Sequence, residues 1–466
     1  MTRQAGQYLQ VGRTGWQRVA ACALVAFVAS GMPNTIGRAQ QAATTPAPVA
    51  QTPPEQLVTE FDVKGLKVLL KRRTGSQTVA AGMFFRGGAR NVDAKNAGIE
   101  LLALQVATEA TTSFPRERLR RELATTGTSI GAGMTFDYSV LSLASTRQGF
   151  DRAWAIFTDA VLRPSFTVED VDRVKTRMVA ALSEGESRPD SYIEQLQAKV
   201  AYAGHPYQND PHGSVDVVRR LTPADVKAFH QELLQTSRML LVVVGDLDPK
   251  VLQQKVESAF SGLPRGNYAA SPTPTLSFTQ PTVQVTARTL PINFVKGVYA
   301  APSLTSPDIY PLKVATAVLE QRVFDEVRVR RSLSYAPNAF LESQGANVGG
   351  IEFTSVDPNQ TVSIMLDEIK KLQTVETRPD EIRAIAQQFL TRSYLQEEAS
   401  AAQAGVLAQS ELIGGGWRQS SEALQRLRAV TPADVKRVAN TYIRNLQFVV
   451  VGNPRSIDAK VFTQQR

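Results

Sequence analysis

The first residues to test for chemistry are the histidines, because histidine is the commonest metal ligand and general base. The chain has three, His205, His212 and His230, and no two of them are three or four positions apart. A zinc peptidase helix needs two ligands on one face at such a spacing, so paired histidines cannot build that helix here. His205 and His212 flank a stretch rich in Pro, Asn and Asp, and we predict that both are loop residues.

Ser129 is the candidate nucleophile of the chain. It is the central residue of Gly127-Thr128-Ser129-Ile130-Gly131, which matches the G-x-S-x-G pattern of a nucleophile elbow. That elbow needs a strand before the serine and a helix after it, whereas here a helix-like stretch precedes and an alternating strand pattern follows. We therefore predict a simple helix-to-strand turn. A serine hydrolase that uses Ser129 and one of the histidines is kept as an alternative.

The N-terminal segment indicates export. The first 40 residues contain four arginines and no acidic residue, and Val19 to Ala29 is an apolar run too short to span a bilayer comfortably. We predict a signal peptide over residues 1–39 with cleavage after Ala39, a periplasmic mature protein, and no stable membrane insertion after cleavage. Cleavage after Ala42 or Ala43, an uncleaved anchor and a lipoprotein acylated at Cys22 are the alternatives. Cys22 is the only cysteine, so the mature chain would need neither disulfides nor thiol chemistry.

Composition and charge describe an ordinary globular protein. The chain has 466 residues, 43% hydrophobic and 20% charged, and removal of four arginines with the signal peptide lowers the formal net charge from +9 to +5. Two arginine clusters remain, one at Arg116, Arg118, Arg120 and Arg121 and one at Arg328, Arg330 and Arg331. Both lie in helix-like stretches, where a solvated helix face is the commoner meaning. Because the chain is also predicted to be exported, we expect no nucleic-acid partner.

An internal repeat organises the elements that must position these residues. Leu221-Thr222-Pro223-Ala224-Asp225-Val226-Lys227 returns 209 residues later as Val430-Thr431-Pro432-Ala433-Asp434-Val435-Lys436. The strand-like Val242 to Gly245 returns as Val449 to Gly452 with an offset of 207. Each copy offers a threonine N-cap, a proline at the first helical position and an aspartate in the first turn. We infer a duplication of one folded unit of about two hundred residues, far longer than the ~20–50 residues of a solenoid repeat.

Local patterns predict a mixture of strands and helices. Phe61 to Leu70 and Val79 to Phe85 are predicted to be paired strands around a turn at Arg73-Thr74-Gly75-Ser76. Apolar spacing predicts helices over residues 97–110, 116–124, 149–161, 168–184 and 191–202. It also predicts one or two strands over residues 129–145. Strands joined by hairpin-like turns favour an α+β fold over a doubly wound parallel sheet.

The predicted domains follow from the repeat and the connectors. Residues 40–57 are rich in Ala, Thr, Pro and Gln and are predicted to be a flexible linker. A first domain covers 58–263, a Ser/Thr/Pro-rich linker covers 264–282, and a second domain covers 283–466.

These features together resemble the pitrilysin/insulinase family of metallopeptidases, over nearly all of the mature chain. The resemblance is carried by Phe84-Phe85-Arg86-Gly87-Gly88-Ala89-Arg90, a glycine-led helix at Gly98, His205-Pro206-Tyr207 with Gly213, the Thr-Pro-Ala-Asp helix and the strand ending at Asp246. It implies two homologous α+β domains in each chain. It also implies that two such chains, or one chain of double length, close around a peptide.

The resemblance further implies that this chain has lost the zinc site of the family. Active members carry His-x-x-Glu-His a few residues after the glycine that corresponds to Gly98, and a further glutamate about 76 residues later. The matching positions are Leu101, Leu104 and Gln105, and the later glutamate falls near Ala181. Leucine can neither ligate zinc nor activate water, so we expect core packing at these positions and no metal or cofactor in this chain. The family's asparagine on its substrate-binding edge strand corresponds to Gly131.

The second half resembles the family at a different site. Phe324-Asp325-Glu326-Val327-Arg328, followed by Ser332-Leu333-Ser334-Tyr335, is similar to a motif in which an arginine and a tyrosine reach across to a partner's zinc site. Arg328 and Tyr335 match those two positions, and Ser332 departs from the usual glycine. An arginine offers a fixed fork to a peptide carbonyl, and a tyrosine hydroxyl can donate to a developing oxyanion. From the residues alone, a solvated helix face and a core tyrosine would be the simpler interpretation.

We therefore predict a non-zinc subunit of a heterodimeric periplasmic zinc metallopeptidase that degrades peptides and is inactive alone. Its catalytic residues would be Arg328 and Tyr335, and its partner would be a homologous subunit that carries His-x-x-Glu-His and the zinc. The first alternative is an inactive peptide-binding or scaffold protein of the same fold.

Overall fold

The computed structural model of the chain describes residues 57–464. The predicted signal peptide over 1–39 and nearly all of the predicted linker over 40–57 lie outside the described residues. In the described part, groups of strands and groups of helices follow one another along the chain and form two α+β halves. The predicted fold class is confirmed.

The first half is one mixed sheet with helices. Its strands are β1 (Val58–Val63), β2 (Leu66–Arg72), β3 (Thr78–Arg86), β4 (Ser129–Met134), β5 (Tyr138–Thr146) and β6 (Met239–Gly245). Its helices are α1 (Ile99–Ala107), α2 (Arg116–Thr126), α3 (Phe150–Leu162), α4 (Val168–Ser187), α5 (Pro189–Ala201), α6 (Val215–Arg220), α7 (Pro223–Leu233) and α8 (Pro249–Phe260). The predicted helices agree with α1 to α5 to within a few residues.

The strand order of this sheet corrects one prediction. The order is β1-β2-β6-β3-β5-β4, and β6 pairs in parallel with β2 and antiparallel with β3. The stretches 61–70 and 79–85 are therefore not paired with each other, and that prediction is wrong. The first stretch itself contains a tight turn at Lys64 and Gly65, both with positive φ (48° and 93°), which pairs β1 with β2. The strand between β2 and β3 comes from about 170 residues later, and a local pattern cannot indicate it.

The second half repeats the arrangement. Its strands are β7 (Thr282–Ala287), β8 (Asn293–Ala300), β9 (Asn338–Leu341), β10 (Val348–Ser355) and β11 (Gln447–Gly452). Its helices are α9 (Ile309–Val323), which continues into a π-helical turn (Phe324–Val329), α10 (Pro358–Thr374), α11 (Pro379–Glu397), α12 (Ser400–Ile413), α13 (Gln419–Arg428), α14 (Pro432–Tyr442) and α15 (Ala459–Thr463).

The two sheets share one topology, which supports the inferred duplication. The second sheet has the order β7-β11-β8-β10-β9, with β11 parallel to β7 and antiparallel to β8. This is the first sheet without its outer strand β1. The repeated Thr-Pro-Ala-Asp segments form the N-termini of α7 and α14, and both have a capping box between the threonine and the aspartate.

One helix of each half packs on the sheet of the other half. Helix α12 of the second half lies on the outer face of the first sheet, where its residues Ala404, Leu407 and Ala408 pack with sheet residues that include Leu69 and Val242. Helix α5 of the first half lies on the second sheet, where Ile193 packs with Val449 and Val451. The opposite faces of the two sheets pack against helices of their own halves in two large cores.

None of the helices within residues 57–464 combines the length and the apolar character that a membrane crossing requires.

Candidate functional site

Helix α1 carries the positions that match the metal-binding motif, and two of the three are buried leucines. Leu104 is completely buried and Leu101 is 4% exposed, and both belong to the core of the first half, as predicted. Gln105 is half-buried one position further along the helix, and Ala181 is exposed on α4. The described residues contain no cluster of three or more His, Cys, Asp or Glu that could hold a metal ion. The side chains at the motif positions therefore do not fit zinc.

A buried ion pair lies directly beside these positions. Glu100 is completely buried, 2.9 Å from Arg238 and 2.5 Å from the Ser139 hydroxyl. Burial raises the pKa of Glu100 to about 7, against the opposing effects of Arg238 and of the Ser139 hydrogen bond. This glutamate was not among the functional residues predicted from the sequence. Its position as the charged residue of a mainly apolar helix was the available signal.

A second ion-pair group ties α1 to its neighbouring helices. Glu109 lies just after α1, and its carboxylate forms salt bridges with Arg177 of α4 at 2.9 Å and with Arg116 of α2 at 3.1 Å. Arg116 also lies 3.3 Å from Asp170. These ion pairs join the end of α1 to α2 and α4.

Arg328 is placed by the π-helical turn that follows α9. Val327 is completely buried and anchors this turn in the core of the second half, so that the next residue projects at the surface. The guanidinium carbon of Arg328 lies 4.2 Å from the centre of the Tyr335 ring and 5.1 Å from that of the Phe324 ring. The structure thus brings the two predicted residues together with a second ring, that of Phe324, for which no role was predicted. The π-helical turn was not predicted either, and such turns are frequent at functional sites.

The loop between Arg328 and Tyr335 adopts a left-handed turn at Ser332. The φ angle of Ser332 is 53°, a conformation that glycine adopts more easily, and the usual family residue here is glycine. The Ser332 N–H donates to the Arg328 carbonyl at 3.2 Å, and the Leu333 N–H donates to the Val327 carbonyl at 2.9 Å. The serine therefore supports a left-handed turn between Arg328 and Tyr335.

The guanidinium N–H groups of Arg328 are not used by the acidic residue nearest in sequence, Glu326. Glu326 pairs with Arg330 and Arg331, and the hydrogen bond from Arg331 lowers the pKa of Glu326. No hydrogen bond or ion pair joins the Arg328 guanidinium to another residue of the described range 57–464. Tyr335 is 77% exposed. The pair can therefore donate hydrogen bonds to a carbonyl or an oxyanion from outside the chain, but it offers no water-activating base.

Ser129 is not part of a catalytic group. It begins β4 after α2 and a left-handed Gly127, so the predicted helix-to-strand turn is confirmed and the strand–serine–helix order of an elbow is absent at this position. Of the histidines, His205 contacts the Pro274 carbonyl, His212 contacts Asp210, and His230 is 3% exposed against Phe166. None of the three contacts Ser129 within the described chain, which removes the basis of the serine hydrolase alternative.

Comparison with known proteins identifies the family. The model described as "Insulinase (Peptidase family M16)" matches residues 67–212, and the model described as "Peptidase M16 inactive domain" matches residues 220–389. The first match ends just before α6 and the second begins at the last residue of α6, and together they cover more than half of the chain.

Individual relatives are distant. Cytochrome b-c1 complex subunit 1 of Bos taurus is 24% identical over 278 residues, which are 59% of this chain and 57% of that protein. The non-peptidase homolog YmxG of Helicobacter pylori is 25% identical over 189 residues, 40% of this chain and 44% of that protein. The chain thus spans about half the length of these relatives.

The fold is also that of solved M16 structures. A crystal structure of a peptidase M16 inactive domain from Pseudomonas fluorescens superposes with a TM-score of 0.76 at 18% identity, over 85% of this chain and 98% of that one. The duplicated topology, the two leucines at the metal-motif positions of α1 and the two family matches lead to one conclusion: the chain belongs to the insulinase family of peptidases, M16.

Proposed function

We propose that this chain is the non-zinc subunit of a heterodimeric periplasmic zinc metallopeptidase that degrades peptides. A homologous partner that carries His-x-x-Glu-His would supply the zinc and the general base. This chain would supply Arg328, Tyr335 and one half of the enclosure that closes around the peptide. The observation that carries the proposal is the stacked Arg328–Tyr335 pair with uncommitted donors, in a chain whose motif positions on α1 are Leu101, Leu104 and Gln105.

The two side chains would have separate roles at the partner's site. The planar Arg328 fork would bind a carbonyl of the peptide and orient it. The Tyr335 hydroxyl would donate to the oxyanion that forms when the scissile carbonyl is attacked, and loss of one such donor typically lowers turnover by ~10²–10³. Zinc chemistry would remain with the partner, because Leu101 and Leu104 have no ligand atoms.

The peptide would bind as an added strand on an open sheet edge. Strand β4 is the last strand of the first sheet and pairs only with β5 among the described strands. An added strand uses backbone hydrogen bonds and tolerates many sequences, as a degradative peptidase requires.

Affinity purification of the tagged mature chain from its native periplasm tests the assembly. We expect a co-purified homologue with His-x-x-Glu-His, with zinc in the complex and EDTA-sensitive cleavage of a quenched peptide that neither chain shows alone. Recovery of the chain alone, without metal or activity, would contradict the heterodimer.

The Tyr335→Phe substitution tests the catalytic role within that complex. Because only the hydroxyl is removed, we expect kcat of the complex to fall by ~10²–10³ while the yield of complex is unchanged. Tyr394→Phe is the matched control, since Tyr394 is also exposed, at 60%. Unchanged turnover in Tyr335→Phe would remove Tyr335 from the mechanism.

A non-catalytic scaffold is the second candidate function. It is favoured by the relative named as a subunit of the cytochrome b-c1 complex. A co-purified partner without His-x-x-Glu-His would decide for it.

A further inference from the structure

The position of Tyr335 depends on the backbone that precedes it. Its side chain is 77% exposed, and its hydroxyl makes no hydrogen bond to any described residue. The contact that holds the ring is the Arg328 guanidinium at 4.2 Å. Whatever fixes residues 332–334 therefore also fixes the tyrosine.

Leu333 is the fixed point of this loop. Its N–H donates to the Val327 carbonyl at 2.9 Å, which ties it to the helical side of the motif. Its carbonyl accepts a hydrogen bond from the Ser355 hydroxyl at 2.9 Å, which ties it to the sheet. Both backbone groups of Leu333 are thus satisfied, two residues before Tyr335.

Ser355 is itself rigidly held. It is the last residue of β10 and is 2% exposed. Its oxygen accepts from the Asp357 N–H at 3.0 Å and lies 2.9 Å from the hydroxyl of Thr361, which is completely buried at the start of α10. A side chain here must donate to Leu333 and accept from Asp357 at once. A hydroxyl can do both, and alanine can do neither.

We propose that Ser355 is a positioning residue for the Arg328–Tyr335 pair. Its hydroxyl connects the end of β10 to the Leu333 carbonyl. Through that hydrogen bond it fixes the height of the Tyr335 hydroxyl above the protein surface. Ser355 touches neither substrate nor metal and acts through Tyr335. This inference rests on the proposed function, because it assumes that the height of the tyrosine matters to turnover.

The test compares Ser355→Ala, Ser355→Thr and Tyr335→Phe in the complex purified through the tagged chain, with a quenched peptide as substrate. We expect Ser355→Ala to lower kcat by about 10-fold or more, because small displacements of a catalytic group are costly, and to change KM by less than about threefold. Ser355→Thr keeps the hydroxyl and should restore kcat. Thr361→Val is a milder second variant, expected to act in the same direction. Ser400→Ala, which removes another buried hydroxyl (4% exposed) far along the chain, should leave kcat unchanged.

A double-mutant cycle separates positioning from a loss of stability. If Ser355 acts through Tyr335, adding Ser355→Ala to Tyr335→Phe should cost no further activity, whereas a purely structural effect would add. Amide hydrogen exchange of the free chain should also become faster at residues 333–336 in Ser355→Ala and not in Ser355→Thr. An additive double variant, or unchanged kcat in Ser355→Ala beside an impaired Tyr335→Phe, overturns the positioning role alone. An unimpaired Tyr335→Phe overturns the catalytic proposal for Tyr335 and with it this inference.

Discussion

At the scale of single residues, the first half contains two buried groups whose pH effects on stability oppose each other. Burial lowers the pKa of His230 from 6.5 to about 4, against a hydrogen bond with the Val161 backbone, and burial raises the pKa of Glu100 from 4.5 to about 7. Because the folded state keeps His230 neutral, its contribution to the unfolding free energy is present above pH 6.5 and is lost as the pH falls through 4. The contribution of Glu100 is present below pH 4.5 and is lost as the pH rises through 7. Each is on the order of 3 kcal/mol.

His230→Gln should remove the histidine contribution to the pH dependence of stability. The variant lacks the histidine titration, so its unfolding free energy relative to the native chain should rise by about 3 kcal/mol between pH 8 and pH 4. Denaturant unfolding at four pH values measures this difference. His212→Gln, at a histidine whose side chain is 49% exposed, is the control. Parallel pH profiles for His230→Gln and the native chain would contradict the burial argument.

Single residues also show how far the sequence could predict the candidate site. Leu101 and Leu104 were expected in the core because a leucine cannot do the chemistry of a histidine or glutamate, and they are buried there. The stacking of Tyr335 on Arg328 and the Ser355 contact could not be predicted. The stacking depends on a π-helical turn, whose residue types also occur in α-helices. The Ser355 contact joins two residues that are twenty-two positions apart in the sequence.

At the scale of elements, the capping boxes of α7 and α14 should contribute equally to stability. In each, the N–H of the aspartate donates to the threonine hydroxyl at 3.2 Å. Thr222→Ala and Thr431→Ala should each lower the unfolding free energy by about 1 kcal/mol, the usual loss for an N-cap. The double variant should lose about 2 kcal/mol, because the sites share no contacts.

Thr441→Ala is the control for the caps, since Thr441 is an exposed threonine within α14 and should change stability by less than about 0.5 kcal/mol. Denaturant unfolding of all four variants gives the comparison. A loss at only one of the two caps would contradict their equivalence in the repeat.

Elements that local chemistry determines were predictable, and elements that distant pairing determines were not. The Thr-Pro-Ala-Asp segments contain their cap, first-turn proline and acidic residue within four positions, and both helices begin there. The strand-rich stretch 61–85 was predicted as one pair, because nothing within it indicates that β6 comes between β2 and β3. The exchange of α5 and α12 between halves is equally invisible to a local pattern.

At the scale of the whole molecule, the exchanged helices make the halves interdependent. Lys296, 4% exposed in the second sheet, pairs with Glu194 of α5 at 2.6 Å and with Glu352 at 2.9 Å. On the other side, the Trp417 indole donates to Glu60 of β1 at 2.7 Å. A buried lysine is tolerated only when it is paired, so α5 is needed by the second half as α12 is needed by the first.

Separated halves should therefore fail to fold alone. A cut between Ala270 and Ser271 falls in an exposed part of the connecting segment and leaves every strand and helix intact. The first half alone would expose the sheet face formed by Leu69, Val242 and their neighbours, an apolar patch of the kind that drives aggregation. We expect each half to be insoluble when expressed alone and the two to co-purify as a soluble 1:1 complex when expressed together.

In that co-expression, Leu407→Asp should abolish co-purification because Leu407 is 4% exposed on α12, whereas Val406→Asp on the same helix, 44% exposed, should not. A soluble, monomeric first half would show that α12 is not required to cover the sheet, and the M16 duplication would then join two units that fold independently.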